Sequence, residues 1–149
     1  MVTHIFIAQG RGEPMKGVES VEALTGQGLV GDRYCKKSAR RGPDYQVSLI
    51  ESEAIEEFTK EVGLPMTADM PRRNVVTTGI HLNDFLGKQF LVGDVLLEGL
   101  EPCEPCSLFA KRSYPQVLSF FKGRGGLRAR IVRGGAIRVG DKVVVAPST

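Results

Sequence analysis

Two cysteines three residues apart carry the clearest chemistry in the sequence: Cys103 and Cys106 in Glu101-Pro102-Cys103-Glu104-Pro105-Cys106-Ser107-Leu108. Each proline fixes its own φ and holds the residue before it extended, so the segment presents its thiols from a stiff backbone. A reactive sulfur also needs its thiolate stabilised, and the basic residues Lys111, Arg112, Arg124, Arg128 and Arg130 follow closely, with Glu101 and Glu104 opposing them. Cys-x-x-Cys is half of a tetrahedral zinc site; only Cys35, His4 and His81 remain to complete it, and they are scattered. A thioredoxin-like dithiol is a second reading, but that motif belongs early in a βαβ unit, whereas here it lies two-thirds along a strand-rich chain. Two small apolar fillers are the third reading, and Pro-flanked cysteines in a polar loop suit it poorly. Cys35, beside Lys36 and Lys37, has no chemical partner at meaningful spacing.

Arginines supply the second chemical signal. Pro71-Arg72-Arg73-Asn74 leads into the apolar Val75-Val76, placing two guanidinium forks and an amide at the mouth of a strand, where they suit phosphate or carboxylate. Strand alternation would turn Arg72 and Asn74 one way and Arg73 the other. In Gly123-Arg124-Gly125-Gly126-Leu127-Arg128-Ala129-Arg130 the glycines allow close backbone approach, and Arg128 and Arg130 share a strand face able to cradle an oxyanion. Residues 107–149 hold nine Lys and Arg against Asp141 alone, whereas residues 1–106 carry a net charge of −5. This asymmetry suits an anionic partner. Few aromatics interleave the basic third beyond Tyr114, Phe120 and Phe121, and no nucleic-acid signature is present, so nucleic acid is not the expected partner.

The elements that must position these groups are short. The chain has 149 residues, 42% hydrophobic and 25% charged, with 18 Gly and 8 Pro. That is one domain over residues 1–149 with frequent turns. Three cysteines are too few for a disulfide framework, and no apolar run reaches the length of a membrane span or signal sequence, which predicts a cytoplasmic protein with free thiols and no membrane partner. Strands are predicted at 3–9, 18–24, 46–50, 74–78, 89–92, 95–100, 127–132 and 142–145, the first two as a hairpin around the 10–14 turn. A helix is predicted over 52–62, capped by Ser52 and ended by Gly63, with a short one over 115–121. Val-Gly-Asp recurs at 30–32, 92–94 and 139–141 as a turn cassette. Many strands with few helices predict a mainly β fold, a closed or nearly closed barrel with short helical connections.

The ordered motifs Gly-Leu-Val-Gly-Asp-Arg (28–33), Gln-Val-Ser-Leu-Ile-Glu (46–51), Arg-Arg-Asn (72–74), Leu-Gly-Lys-Gln-Phe-Leu-Val-Gly-Asp (86–94), Glu-Pro-Cys (104–106), Gly-Gly-Leu-Arg-Ala-Arg (125–130) and Gly-Gly-Ala-Ile-Arg-Val-Gly-Asp (134–141) resemble the MOSC domain, named for the C-terminal domain of molybdenum cofactor sulfurase. The resemblance implies a barrel-like β fold with one essential cysteine, occurring alone or fused to other domains. In fused relatives the domain binds molybdenum cofactor, and the cysteine carries sulfur as a persulfide or ligates molybdenum; some relatives reduce N-hydroxylated compounds. Carried over by position, the cysteine is Cys106, as sulfur carrier or metal ligand. Arg33, Arg72, Arg73, Asn74, Arg128 and Arg130 match positions around a phosphorylated pterin (molybdopterin). Cys103 is an extra thiol, either neutral or able to resolve a Cys106 persulfide as a disulfide. No pyridoxal phosphate site of its own is expected, so the implied partners are a separate cysteine desulfurase as sulfur donor and a molybdoenzyme or reductase. Sulfurtransferase and molybdenum-cofactor-dependent reductase component are the two enzymatic readings. A Cys-x-x-Cys thiol-disulfide oxidoreductase and a non-catalytic module for an anionic ligand or nucleic acid are the alternatives.

Overall fold

A computed structural model describes residues 1–10, 12–33, 35 and 46–147. Among them, eleven strands are β1 (Val2–Ile7), β2 (Lys16–Val18), β3 (Ser20–Leu24), β4 (Gly28–Leu29), β5 (Val47–Glu51), β6 (Val75–Thr77), β7 (Gln89–Val92), β8 (Val95–Pro102), β9 (Leu127–Arg133), β10 (Gly135–Arg138) and β11 (Val143–Val145). Helices α1 (Ser52–Val62), α2 (Ser107–Arg112) and α3 (Val117–Phe120) and a short 3-10 turn at Leu82–Phe85 complete the regular structure.

The mainly β expectation holds, but the sheet does not close. Eight strands run in the order β11-β7-β8-β9-β5-β6-β1-β2, and β10-β3-β4 form a second sheet. The stretch read as one strand over 18–24 breaks at Glu19: β2 pairs with β1 as the hairpin predicts, while β3 departs to pair with β10. Arg11, within the connecting turn, lies outside the described residues. The glycines of the three Val-Gly-Asp cassettes, Gly31, Gly93 and Gly140, have φ of 90°, 59° and 97°, the left-handed geometry that turn-forming glycine supplies.

Two apolar clusters explain the layering. The inner one joins both sheets through residues such as Ile5, Leu29, Leu49, Phe90, Leu97 and Ile137. The outer one lies between the opposite face of the large sheet, carrying Phe6, Ile50 and Val76, and the helices. Strands β1, β5 and β6 are thus buried on both faces, which is why they read as apolar runs rather than strict alternations. On the helical side Phe58 of α1 stacks on Phe121 at 5.7 Å and meets Phe120 edge-on at 5.2 Å, while Phe109 of α2 tilts onto Phe121 at 5.5 Å. Helix α1 has the predicted bounds and ends at Gly63 with φ of 80°; Glu51, not Ser52, is its N-cap.

Two glycines fix how closely the layers approach. A Cβ on Gly99 would collide with the Phe85 carbonyl and one on Gly126 with the Leu49 carbonyl, and Gly126 also has φ of 112°. Gly123, with φ of 79°, would direct its Cβ into open space. We therefore expect Gly126→Ala to cost well over 2 kcal/mol and Gly123→Ala about 1 kcal/mol in denaturant unfolding, since only the former adds a backbone collision to conformational strain. Equal losses would contradict this packing.

Candidate functional site

Cys106 is the N-cap residue of α2, extended at φ −95° and ψ 163°, and its Sγ accepts a hydrogen bond from the Phe109 backbone N–H at 3.4 Å. Phe109 is itself 1% exposed in the aromatic cluster, so the residue that anchors the helix also supplies the donor that orients the sulfur. Cys106 is exposed, Cys103 is buried and Cys35 is half-buried. Among the described residues no cluster of three or more His, Cys, Asp or Glu side chains could hold a metal, so the zinc reading finds no site there. His4 and His81, its proposed completing ligands, are both exposed.

A cavity of about 230 Å³ opens at one rim of the large sheet, beside α2. Of the residues expected at an anionic site, Arg33, Arg72, Arg73, Asn74, Cys106 and Arg128 line it, and Cys103 joins them. They come together because β1 ends beside the start of β6, β6 runs parallel to β5, and β5 overlaps the antiparallel β9 only over residues 47–49 and 127–129, next to the end of β8. Register places Arg128 opposite Ser48 on β5 and Glu101 on β8. Arg128 Nε lies 3.8 Å from the Glu101 carboxylate and the Arg33 backbone N–H donates to the Ala8 carbonyl at 2.7 Å.

Arg130 is the exception. It stands opposite Glu98, two residues further along β9, and its Nε donates to the Glu98 carboxylate at 2.7 Å, so it is absent from the cavity lining. That hydrogen bond and the glutamate charge hold the Arg130 guanidinium above its ordinary pKa. The strand-face argument correctly pairs Arg128 with Arg130, but the cavity is too short along β9 to include both.

Arg73 and Asn74 border the cavity with their polar groups turned to the protein. Arg73 is 5% exposed. Its Nε donates to the Gly125 carbonyl at 3.0 Å, Nη1 to Pro71 at 3.2 Å, and Nη2 to Cys103 at 3.3 Å and Glu104 at 2.9 Å. This guanidinium is a bracket for the cysteine loop. Asn74 Oδ1 accepts from the Ser48 backbone N–H at 3.0 Å and hydroxyl at 3.2 Å, while Nδ2 donates to the Phe6 carbonyl at 3.1 Å, tying β1, β5 and the start of β6 together.

Simple alternation fails at Arg72, whose φ of 62° is left-handed, so that Arg72 and Arg73 both reach the cavity. Arg72 Nη2 donates to the Glu13 carbonyl at 2.8 Å, and Arg112 donates to Gly12, so two arginines from different elements hold the β1–β2 connection beside the cavity. Of the basic residues after Cys106, Arg128 lines the cavity, while Arg112 is held as just described and Arg124 lies over the Phe120 ring at 3.9 Å and 3.8 Å from Glu57. The other arginines of the lining, Arg33, Arg72 and Arg73, come from segments remote in sequence. Asp32, in a Val-Gly-Asp cassette read only as a turn, and Ser48 also line the cavity. Asp32 is buried and its Oδ1 accepts the Ala8 backbone N–H at 2.9 Å. The sequence signal for Ser48 is a small polar residue between the apolar Val47 and Leu49.

Burial, reinforced by the Asp32 charge, pushes the Cys35 thiol up, and Cys103 is 1% exposed. Iodoacetamide at near-neutral pH, followed by peptide mass spectrometry, should therefore label Cys106 well before Cys35 or Cys103. Arg73→Ala strips the charged donor from several carbonyls at once and should cost at least about 3 kcal/mol in denaturant unfolding, against about 1 kcal/mol or less for the more exposed Arg72→Ala. Similar losses would remove the bracket role.

Solved structures share this fold: the YUAD protein of Bacillus subtilis (TM-score 0.77, 20% identity, covering 97% of this chain and 96% of that one) and YiiM of Geobacillus stearothermophilus (TM-score 0.75, 20% identity, 97% and 74%). YiiM of Escherichia coli is similar too, with a TM-score of 0.70, 18% identity, and coverage of 99% and 70%. No curated protein sequence matches. The MOSC domain family model matches residues 36–144, most of the chain and most of the site, including the Arg-Arg-Asn, Glu-Pro-Cys and Gly-Gly-Leu-Arg-Ala-Arg segments. The chain belongs to the MOSC domain family.

Proposed function

We propose that this protein is a molybdenum-cofactor-related domain in which Cys106 accepts sulfur as a persulfide or ligates molybdenum. The observation carrying the reading is the placement of an exposed, helix-capping sulfur on the rim of a cavity lined by arginines from three separate segments. Sulfur is a soft ligand and a strong nucleophile, and guanidinium forks match phosphate oxygens.

The donor set suits the implied cofactor in kind: Cys106 offers the soft atom, and Arg33, Arg72 and Arg128 offer donors for a phosphate. A guanidinium has five N–H donors, so each can keep its protein contact while holding an oxyanion. Arg73 and Asn74 contribute by keeping the loop and strand ends in place. At about 230 Å³ the cavity is smaller than typical pockets for drug-sized ligands, roughly 300–1,000 Å³, so it would enclose only part of a pterin cofactor. When bound, molybdenum cofactor supplies a redox-active metal for oxygen-atom or electron transfer, the chemistry that reduction of N-hydroxylated compounds requires.

In this reading a separate cysteine desulfurase donates sulfur, a molybdoenzyme or reductase partner takes it up or supplies electrons, and a reducing cytoplasm keeps Cys106 a thiol. Among the described residues no helix is long and apolar enough to cross a membrane.

Intact-mass analysis after incubation with a desulfurase and free cysteine should show one added sulfur on Cys103→Ser and none once Cys106→Ala is combined with it. Metal analysis of protein purified without oxygen should show molybdenum retained by the wild type and reduced at least tenfold in the combined Arg33→Ala, Arg72→Ala, Arg128→Ala variant if ligation is the function. The absence of both sulfur uptake and bound molybdenum would overturn the reading.

A further inference from the structure

Resting on the proposal that Cys106 accepts sulfur, we infer that Cys103 is its resolving thiol, and that the pair converts bound sulfane sulfur to hydrogen sulfide with formation of a Cys103–Cys106 disulfide. Both residues line the same cavity. Their exposures differ: Cys106 is open to a protein donor, whereas Cys103 at 1% is shielded from one and faces the cavity that Cys106 borders. Cys103 is buried yet belongs to neither of the two large apolar clusters.

The backbone holds the two residues as a unit. The Cys103 N–H donates to the Gly126 carbonyl at 2.8 Å and its carbonyl accepts from Arg73, which also holds Glu104. At Gly125 a Cβ would collide with the Cys103 carbonyl, so the loop lies directly against the approach to β9. Cys106 is fixed from the other side, its carbonyl accepting the Ala110 N–H at 3.3 Å and its Sγ the Phe109 N–H. Three residue steps span at most about 10–11 Å, and a disulfide needs Cα atoms within roughly 7 Å, so closure asks for a local adjustment of the Glu104-Pro105 turn rather than rearrangement of the fold.

The step balances without an external oxidant. The Cys103 sulfur attacks the inner sulfur of the Cys106 persulfide; the persulfide S–S bond breaks as the Cys103–Cys106 bond forms. The outer sulfur leaves with the electron pair and, with the two thiol protons, becomes hydrogen sulfide. Sulfane sulfur is reduced by two electrons and the two cysteines are oxidised to a disulfide, which a dithiol reductant returns to thiols.

The test loads reduced protein with polysulfide, removes excess donor, and follows hydrogen sulfide release and peptide masses in the wild type, Cys103→Ser and Cys103→Ala, each in a Cys35→Ser background with folding checked by thermal melting. The wild type should release one equivalent of hydrogen sulfide and yield a Cys103–Cys106 cross-linked peptide two hydrogens lighter than its dithiol. The Cys103 variants should keep the added sulfur on Cys106 and release at least tenfold less. A wild type that stores the Cys106 persulfide as durably as the variants, with no cross-link, would overturn the resolving role and leave the sulfur-acceptor reading standing. No sulfur on Cys106 in any of the proteins would overturn both.

Discussion

The buried fork of Arg73 is the interaction on which the rest of the site depends. Its N–H groups bind carbonyls from the segment before β6, the cysteine loop and the approach to β9, three stretches separated by roughly twenty to fifty residues. Carbonyls removed from water need donors, and one charged planar group meets several at once more cheaply than separate side chains would. Glycine at 125 and 126 completes the arrangement, because any side chain would push β9 away from the carbonyls of Cys103 and Leu49. The loop geometry is therefore a property of tertiary structure, although its prolines bias it locally.

From that bracket the reactive position follows. Strand β8 delivers the chain to the rim, Arg73 turns it, and Phe109 draws the first turn of α2 into the aromatic cluster with Phe58 and Phe121. Cys106 is left at the junction of a fixed loop and a fixed helix. The cavity lies beside that junction, lined by Cys106, Ser107 and Leu108 at the start of α2. Arginines line that rim because strand ends there are close to water, where a guanidinium can keep its charge hydrated while its stem packs.

Much of this was legible in the sequence where local rules govern. Helix α1 and its Gly63 stop, the β7–β8 hairpin and the left-handed cassette glycines follow from periodicity and turn chemistry. The break at Glu19 was hidden, because one apolar stretch serves two sheets and only long-range pairing with β10 separates β3 from β2. At the site, Cys106 and the arginine motifs could be named from residue type and order, whereas their roles could not. Nothing local in the sequence distinguishes Arg73, whose buried fork serves the carbonyls of residues 103–125, from Arg72, which donates to Glu13; the difference lies in what the fold brings against each. The run after Cys106 misled for the converse reason: proximity in sequence suggested a field that α2 and α3 direct toward Gly12, Phe120 and Glu57.

The left-handed backbone at Arg72 places a trade-off in a single residue. An L side chain with a Cβ holds that conformation at a cost on the order of 1 kcal/mol that glycine would not incur. Conformational relief and a guanidinium at the rim are mutually exclusive at this position: selection for heat tolerance alone would drift toward glycine, and selection for ligand retention would hold arginine in place.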